Sequence, residues 1–293
     1  MRAVYHHELA TLAYADVFDY PLTKEELSLW LIKKRAMSPS FFRYVSFRDG
    51  FLTLPKRRAL VQRRRKREMY AKTKWEFIRR VAPLFRLVPT VTLVGVTGGL
   101  SMNNVKHDDD IDLFFIVRPG TLWLSRLMLT LLAEALRIRR RPQEIAVADK
   151  VCLNMFMEEG SLALPRNERD LFSAHEVLQM VPLWQRGNSH QKMLSSNRWV
   201  SHYLPNAWRH KTGHMSTRGK NTPDIAWWRC LSPLEPIAKV AQLHYMQKRR
   251  TNEVIRYGMI RFHPSDARHW VREKLSSRFQ HWHIPLDNFF YHR

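Results

Sequence analysis

Cysteine is scarce in this chain: 293 residues hold two, Cys152 and Cys230. That makes neither a disulfide framework nor a zinc pattern, and Cys152, inside an apolar run, reads as a buried thiol. Long hydrophobic runs are also missing. A membrane-spanning helix needs roughly 18 or more uncharged apolar residues; the nearest stretch, Leu122 to Leu136, carries Arg126 and Glu134. The opening MRAVYHHELATLAYADVFDY has no clean apolar h-region and no small-residue cleavage site. No integral membrane segment and a cytoplasmic location are therefore expected. There is no G-x-x-x-x-G-K-[ST] phosphate loop. Gly98-Gly99 leads into an acidic strand start, which disfavours a dinucleotide fingerprint. His175-Glu176 lacks the second histidine of a zinc-binding H-E-x-x-H, Gln179 standing there instead, so His175 reads as a structural histidine.

Acidic residues are few as well. Lys and Arg number 49 against 26 Asp and Glu, a formal charge of +23, with pI ≈ 10.6. Such a surface favours polyanions, nucleic acid first among them. Hydrophobic content of 45% and aromatic content of 12% describe a folded protein and exclude a disordered one.

The densest information lies in VTLVGVTGGLSMNNVKHDDDIDLFFIV, residues 91–117. An apolar run enters a glycine turn, a polar segment follows, and a second apolar run begins with carboxylates. Side chains alternate faces along a strand, so Asp110 and Asp112 share one face while Ile111, Leu113 and Phe115 share the other. Paired carboxylates at a strand start are costly unless a cation neutralises them, and hard oxygen donors suit Mg²⁺.

This pattern resembles the nucleotidyltransferase superfamily of the DNA polymerase β type: an apolar strand, a Gly-Ser turn, a spacer, then Asp-x-Asp between apolar residues. Gly98-Gly99 falls on the Gly-Ser position and Asp110-Ile111-Asp112 on the Asp-x-Asp position. The family serine is Gly99 here, which leaves Ser101 or Thr97 to supply a phosphate-binding hydroxyl. The resemblance implies Mg²⁺ or Mn²⁺ at Asp110 and Asp112, an NTP substrate held by Thr97, Gly98, Gly99 and Ser101, and Lys106 as a neutraliser of the leaving pyrophosphate. Many members carry a third acidic residue on a later strand. Lys150 to Met157 is that strand, and Asn154 or Glu158, placed on one alternation face with Cys152 and Phe156, is expected there; Asp149 is a lesser candidate. As a whole-chain pattern the sequence is similar to bacterial nucleotidyltransferase-domain proteins.

An α+β organisation is expected. Residues 1–55 read as a winged-helix-like domain: a helix over His7 to Phe18, a second after the Thr23/Glu26 capping box, a short third one with Phe41 and Phe42, and a hairpin turning at Asp49-Gly50. Residues 56–88 read as a basic connecting helix with an apolar stripe of Leu60, Met69, Tyr70, Trp75, Ile78 and Val81. Its arginines are either a phosphate footprint or a solvated face whose stems cover apolar surface. Residues 89–165 form the polymerase-β-like nucleotidyltransferase α/β core. Residues 166–293 form a largely helical C-terminal region, with helices over Asn167 to Val181, Leu234 to Tyr257 and Asp266 to Phe279, a linker over Lys211 to Pro223, and an aromatic, basic tail.

The functional expectation is transfer of a nucleoside monophosphate from an NTP to an acceptor hydroxyl on RNA or protein. RNA is favoured over DNA as the nucleic-acid partner. The alternative is a decayed nucleotidyltransferase fold that acts as a nucleic-acid-binding or regulatory protein, with Gly99 and Asn154 as marks of the decay.

Overall fold

The apolar runs do become strands, and the sheet they form lies between two hydrophobic layers. The computed structural model describes residues 6–34, 36–141, 144, 146–213, 226–247, 253–262 and 267–285. The chain opens with α1 (His6–Val17) and α2 (Lys24–Leu29), a 3₁₀ turn (Pro39–Tyr44), and the hairpin β1 (Ser46–Arg48) and β2 (Phe51–Thr53). Next come α3 (Leu60–Val81), a 3₁₀ turn (Ala82–Leu87), β3 (Val91–Val96), the single turn α4 (Gly98–Ser101), β4 (Ile111–Val117), α5 (Leu122–Ala135) and β5 (Val151–Glu158). The rest comprises α6 (Leu171–Gln179), β6 (Val181–Gln185), α7 (Ser189–Ser196), α8 (Val200–Tyr203), α9 (Pro205–Gly213), α10 (Glu235–Gln247), β7 (Val254–Arg256), β8 (Met259–Arg261) and α11 (Ala267–His281).

Local chemistry explains the entry elements. Thr23 and Glu26 form the reciprocal capping box: the Glu26 amide donates to Thr23 Oγ1 at 3.1 Å and the Thr23 amide to Glu26 Oε2 at 2.9 Å. Such a cap is worth about 1 kcal/mol. The hairpin turns at Asp49 and Gly50, both at positive φ, as a two-residue turn matched to strand twist requires.

The main sheet has strand order β6-β3-β4-β5-β8-β7. Only β4 and β5 are parallel, joined through α5 as a crossover. One face, with Leu93, Phe114, Ile116 and Met157, packs against α1, α2, α6, α8 and α11. The other, with Val94, Leu113, Phe115 and Phe156, packs against α3, α5 and α10. The fold is therefore mixed α+β, as expected. No described helix is long and apolar enough to cross a membrane.

Several details differ from the sequence reading. The N-terminal elements follow the helix-helix-hairpin order, yet Leu9, Leu27, Phe41 and Leu52 belong to the same core as Phe114 and Ile116. Three of the six strands, β6, β7 and β8, lie beyond residue 165. The helix expected over Leu234 to Tyr257 ends at Gln247, and Val254–Arg256 is a strand paired with β8. A β-branched pair before the Gly258 turn, at φ +67, explains the switch. Of the expected linker, residues 214–223 lie outside the described residues, as do residues 286–293 of the tail.

Helix α3 turns the expected stripe inward except for Met69: Leu60 and Ile78 are buried, and Tyr70, Trp75 and Val81 pack against the core half-buried. Leu60, Val61, Arg64, Ala71, Lys74 and Ile78 are buried, whereas Met69 is 66% exposed. The 60-64-71-74-78 spacing follows the helical period and Met69 falls off it. Its arginines are partly internal. Arg64 donates to Glu26 Oε1 at 2.8 Å and to Glu68 Oε1 at 2.7 Å, with its guanidinium 3.8 Å from the Tyr20 ring centroid. Arg63 pairs with Asp19 at 2.5 Å. Arg65, Lys66, Lys72, Arg79 and Arg80 stay exposed.

Candidate active site

Strand β3 ends at Val96 and the chain turns sharply through Thr97, Gly98 and Gly99. The Thr97 amide donates to Asp112 O at 3.0 Å, which fixes the turn against the start of β4. Gly98 sits at φ +63, and a Cβ there would lie 2.6 Å from Asp112 Oδ2. A Cβ on Gly99 would lie 2.8 Å from the Asn104 carbonyl oxygen. Both positions exclude any side chain. The absence of a side chain at 99 thus follows from the way the 99–105 turn closes. The replacement hydroxyls turn inward: Ser101 Oγ donates to Gly98 O at 2.8 Å, and Thr97 Oγ1 reaches only Asp112 O at 3.5 Å. Lys106 is exposed, and its backbone amide donates to Asp109 Oδ2 at 2.8 Å.

Helix α3 fixes the loop between turn and strand. The buried Lys74 donates from Nζ to His107 O at 3.1 Å, Asp109 O at 2.6 Å and Asp149 Oδ1 at 2.8 Å. Asp149, the lesser candidate, is therefore a partner of Lys74. Arg67 Nη1 donates to Asn104 Oδ1 at 2.8 Å, and Asn104 Nδ2 to Phe18 O at 3.0 Å, which ties the same loop to the N-terminal elements.

Asp110 and Asp112 come together as expected, and parallel pairing sets Cys152 opposite Asp112. One ligand atom from each of Asp110, Asp112 and Cys152 lies within 4.8 Å of the others. Arg140 Nη1 donates to Asp110 Oδ2 at 2.6 Å, and the Arg140 amide donates to Val151 O at 2.9 Å, which places the guanidinium there. Burial, and then the charges of Asp110 and Glu176, push the Asp112 carboxyl up to about 7 despite Arg140. Burial and Asp112 raise the Cys152 thiol well above its ordinary value. The two carboxylates fit a hard divalent cation. A raised-pKa thiol is a poor partner for it, and Cys152 instead hydrogen-bonds Asp112.

The third acidic position is corrected by the structure. The β4–β5 register slips between Leu113 and Phe114, where Asn154 is the extra residue of β5. A bulge of this kind reverses the alternation beyond it. Asn154 and Met155 both line a cavity on the Asp112 side, while Phe156 packs in the opposite layer. Glu158 pairs with Val117, five β4 residues along from the Cys152–Asp112 pair, about 17 Å away at strand rise. Its Oε1 accepts from the Gly120 amide at 2.9 Å, and with Glu235, which takes the Trp123 and Leu124 amides at 2.8 Å, it caps the N-terminus of α5. Glu158 is a capping residue, remote from the aspartates. Asn154 is buried and lies near the site, but brings no charge.

A further carboxylate on the Asp112 side is Glu176, on α6, which shares a cavity with Gly98 and Gly99. Its charge raises Asp112, and burial pushes its own carboxyl up to about 7, opposed only by Arg261. It lines two cavities, one of about 200 Å³ bordered by Gly98 and Gly99 and one of about 90 Å³ bordered by Thr97, Asn154 and Arg261. The sequence held one faint signal for it: Glu176 is the only acid within Leu171–Gln179. Its neighbour His175 is structural, as read. It stacks on Tyr14 at 3.8 Å between centroids, its Nδ1 bonds Leu171 O at 2.9 Å, and burial lowers it to about 4.

Comparison with known proteins finds no family model, no curated protein and no solved structure that matches this chain.

Proposed function

We propose that the protein is a nucleotidyltransferase that moves a nucleoside monophosphate from an NTP to an acceptor hydroxyl. One observation carries the reading: Asp110 and Asp112, paired at the start of β4, lie beside a glycine turn that tolerates no side chain, with Glu176 of α6 on the cavity that turn borders. Carboxylates paired so closely in a half-buried site are unfavourable without a cation. Asp110 and Asp112 are the residues that would hold Mg²⁺ or Mn²⁺, which when bound supplies charge neutralisation for the phosphates. Gly98 and Gly99 let a triphosphate approach the backbone closely.

In this reaction the acceptor oxygen bonds to the α-phosphorus, the bond from the α-phosphorus to the bridging oxygen breaks, and pyrophosphate leaves. Glu176 takes the acceptor proton; a carboxylate poised near 7 suits that role at neutral pH. Ser101 and Thr97 position the turn through backbone contacts, and Lys106, exposed on the loop, remains available to an anion at its rim. The exposed bases of α3, Arg65, Lys66, Lys72, Arg79 and Arg80, form the surface on which a nucleic-acid partner would bind.

The Arg140–Asp110 pair favours the second reading, a decayed site in which a guanidinium replaces the metal and the basic surface carries the function. One assay separates the two: transfer from α-labelled NTPs, all four bases, with Mg²⁺ or Mn²⁺, to total RNA and lysate protein. Label incorporated by the wild type and absent with Asp110→Ala/Asp112→Ala supports transfer. No incorporation, with nucleic-acid binding intact in both proteins, supports the decayed site.

A further inference from the structure

Helix α5 is apolar on both sides. Its sequence, LWLSRLMLTLLAEA, carries Leu122, Leu129 and Ala133 into the core. On the opposite side of the helical period lie Leu127 and Met128, half-buried, and Leu131 and Ala135, exposed. A helix apolar all round is normally covered all round. Here α10 packs along one flank. Ala238, Gln242 and Met246 turn inward, Gln242 Nε2 donates to Trp123 O at 2.7 Å, and Gln242 Oε1 accepts from Arg126. The outward side of α10 is again apolar. Ile237 is 67% and Val240 68% exposed, Leu234 precedes them, and Leu131 of α5 is 60% exposed. Both helices lie on one face of the sheet, so these side chains form a single apolar ridge toward solvent.

The charge around this ridge has one sign. α5, α10 and the 3₁₀ turn Ala226–Leu234 before α10 hold two acids, Glu134 and Glu235. Glu134 is met by Arg139 at 2.8 Å and Arg141 at 2.9 Å, and Glu235 accepts the Trp123 and Leu124 amides. Arg137, Arg229 and Lys239 stay exposed at the rim. We propose that the α5–α10 ridge docks the protein on an anionic phospholipid membrane. Leu131, Ile237 and Val240 enter the acyl boundary, and Arg137, Arg229 and Lys239 meet the headgroup phosphates. A second copy fits less well, because it would bring two basic rims together on chains that each carry a formal charge of +23. This docking is independent of the transferase reading.

A chain this basic is drawn to any anionic vesicle, so the variants must leave charge alone. Ile237→Ser/Val240→Ser changes two mostly exposed side chains and no charge; Met69→Ser, 66% exposed on α3, is the control away from the ridge. The full chain is sedimented with vesicles of phosphatidylcholine, with and without phosphatidylserine, at ~0.15 M salt. Wild type and Met69→Ser are expected to bind the phosphatidylserine vesicles alike. The double variant is expected to bind them at least about tenfold more weakly, as two apolar side chains leave the acyl boundary. Wild-type binding to phosphatidylcholine alone is expected to be at least about tenfold weaker, as the rim loses its anionic headgroups. Equal binding by wild type and the double variant assigns the attraction to net charge and overturns the proposal. Equal binding to the two vesicle types overturns it as well. Sedimentation equilibrium supplies the last outcome: a dimer that the double variant dissolves, with no vesicle binding by the wild type, makes the ridge a self-interface and overturns membrane docking.

Discussion

The molecule treats two acidic groups, one buried and one half-buried, in opposite ways. Glu168, 3% exposed, is met by Arg256 at 2.7 Å, Arg261 at 3.2 Å and Arg268 at 3.9 Å. Asp110, Asp112 and Glu176 have two arginines near them: Arg140, which bonds Asp110, and Arg261, which only partly offsets the burial of Glu176. The first arrangement is compensated charge, a clamp between the 166–168 turn, the β7–β8 hairpin and α11. The second is charge left short of partners, with two carboxyls raised to about 7. Folding alone gives no reason to keep it, because a carboxylate in such surroundings destabilises the native state at neutral pH. Sites kept against stability are where function is expected.

The sharpest break in this comparison is Asp112→Ala. Transfer is expected to fall by more than about 10³-fold, since the metal site supplies several kcal/mol. Stability at pH 8 is expected to hold or rise as the strained carboxylate goes. Initial rates of label transfer and urea unfolding check both halves; a large loss of stability with activity retained would reverse the assignment. Glu168→Ala is the mirror image. Three arginines lose their shared partner, a loss of about 3–5 kcal/mol in urea unfolding, while Mn²⁺ binding by the remaining folded protein stays unchanged.

Glu176→Gln tests the third carboxylate on both axes at once. Loss of a proton acceptor is expected to lower transfer about 10²–10⁴-fold. The stability sign follows from the raised pKa. Folded Glu176 titrates at about 7 against an ordinary value of 4.5, so the folded state holds the extra proton between those values. Its contribution is present below 4.5 and is lost as pH rises through 7. The Gln variant should match the wild type at pH 4 and exceed it by up to about 3 kcal/mol at pH 8, at 1.36 kcal/mol per unit. Equal stability at both pH values would remove Glu176 from the site.

How legible was this in the sequence? Period-two and period-3.6 patterns placed β3, β4, β5, α1 and α2 within a residue or two, and Thr23/Glu26 and Asp49-Gly50 announced their cap and turn. These signals are local, and local chemistry decides them. Asp110 and Asp112 were legible because strand alternation alone puts them side by side. Glu158 was misplaced because alternation was carried through Asn154, where one extra residue reverses the faces. Glu176 was missed because it reaches the aspartates from another element, and only tertiary packing brings α6 over β4. Arg64 read as surface charge with the other arginines of its run, since a sequence does not show which carboxylates wait beneath a helix. Strands of three residues, β7 and β8, carry too short a pattern to stand out from the helix before them.

The finest form of the comparison lies within one dipeptide. His175 and Glu176 are adjacent, yet the histidine is a packing element and the glutamate a strained acid. Burial lowers His175 to about 4 from 6.5, so the unfolded state holds more protons between those values. Stability from this group is full above 6.5 and is lost as pH falls to 4, the reverse of Glu176. His175→Phe keeps a ring for Tyr14 and Trp30 to stack on and removes the titration. Relative to that variant, the wild type should lose up to about 3 kcal/mol between pH 6.5 and pH 4, read by urea unfolding at each pH. Taking the difference between the two proteins cancels His190, which burial also lowers to about 4. Transfer at pH 8 should be unchanged, since His175 is neutral there in either account. A loss of transfer with stability intact would move the histidine from the core into the site and erase the contrast between the two neighbours.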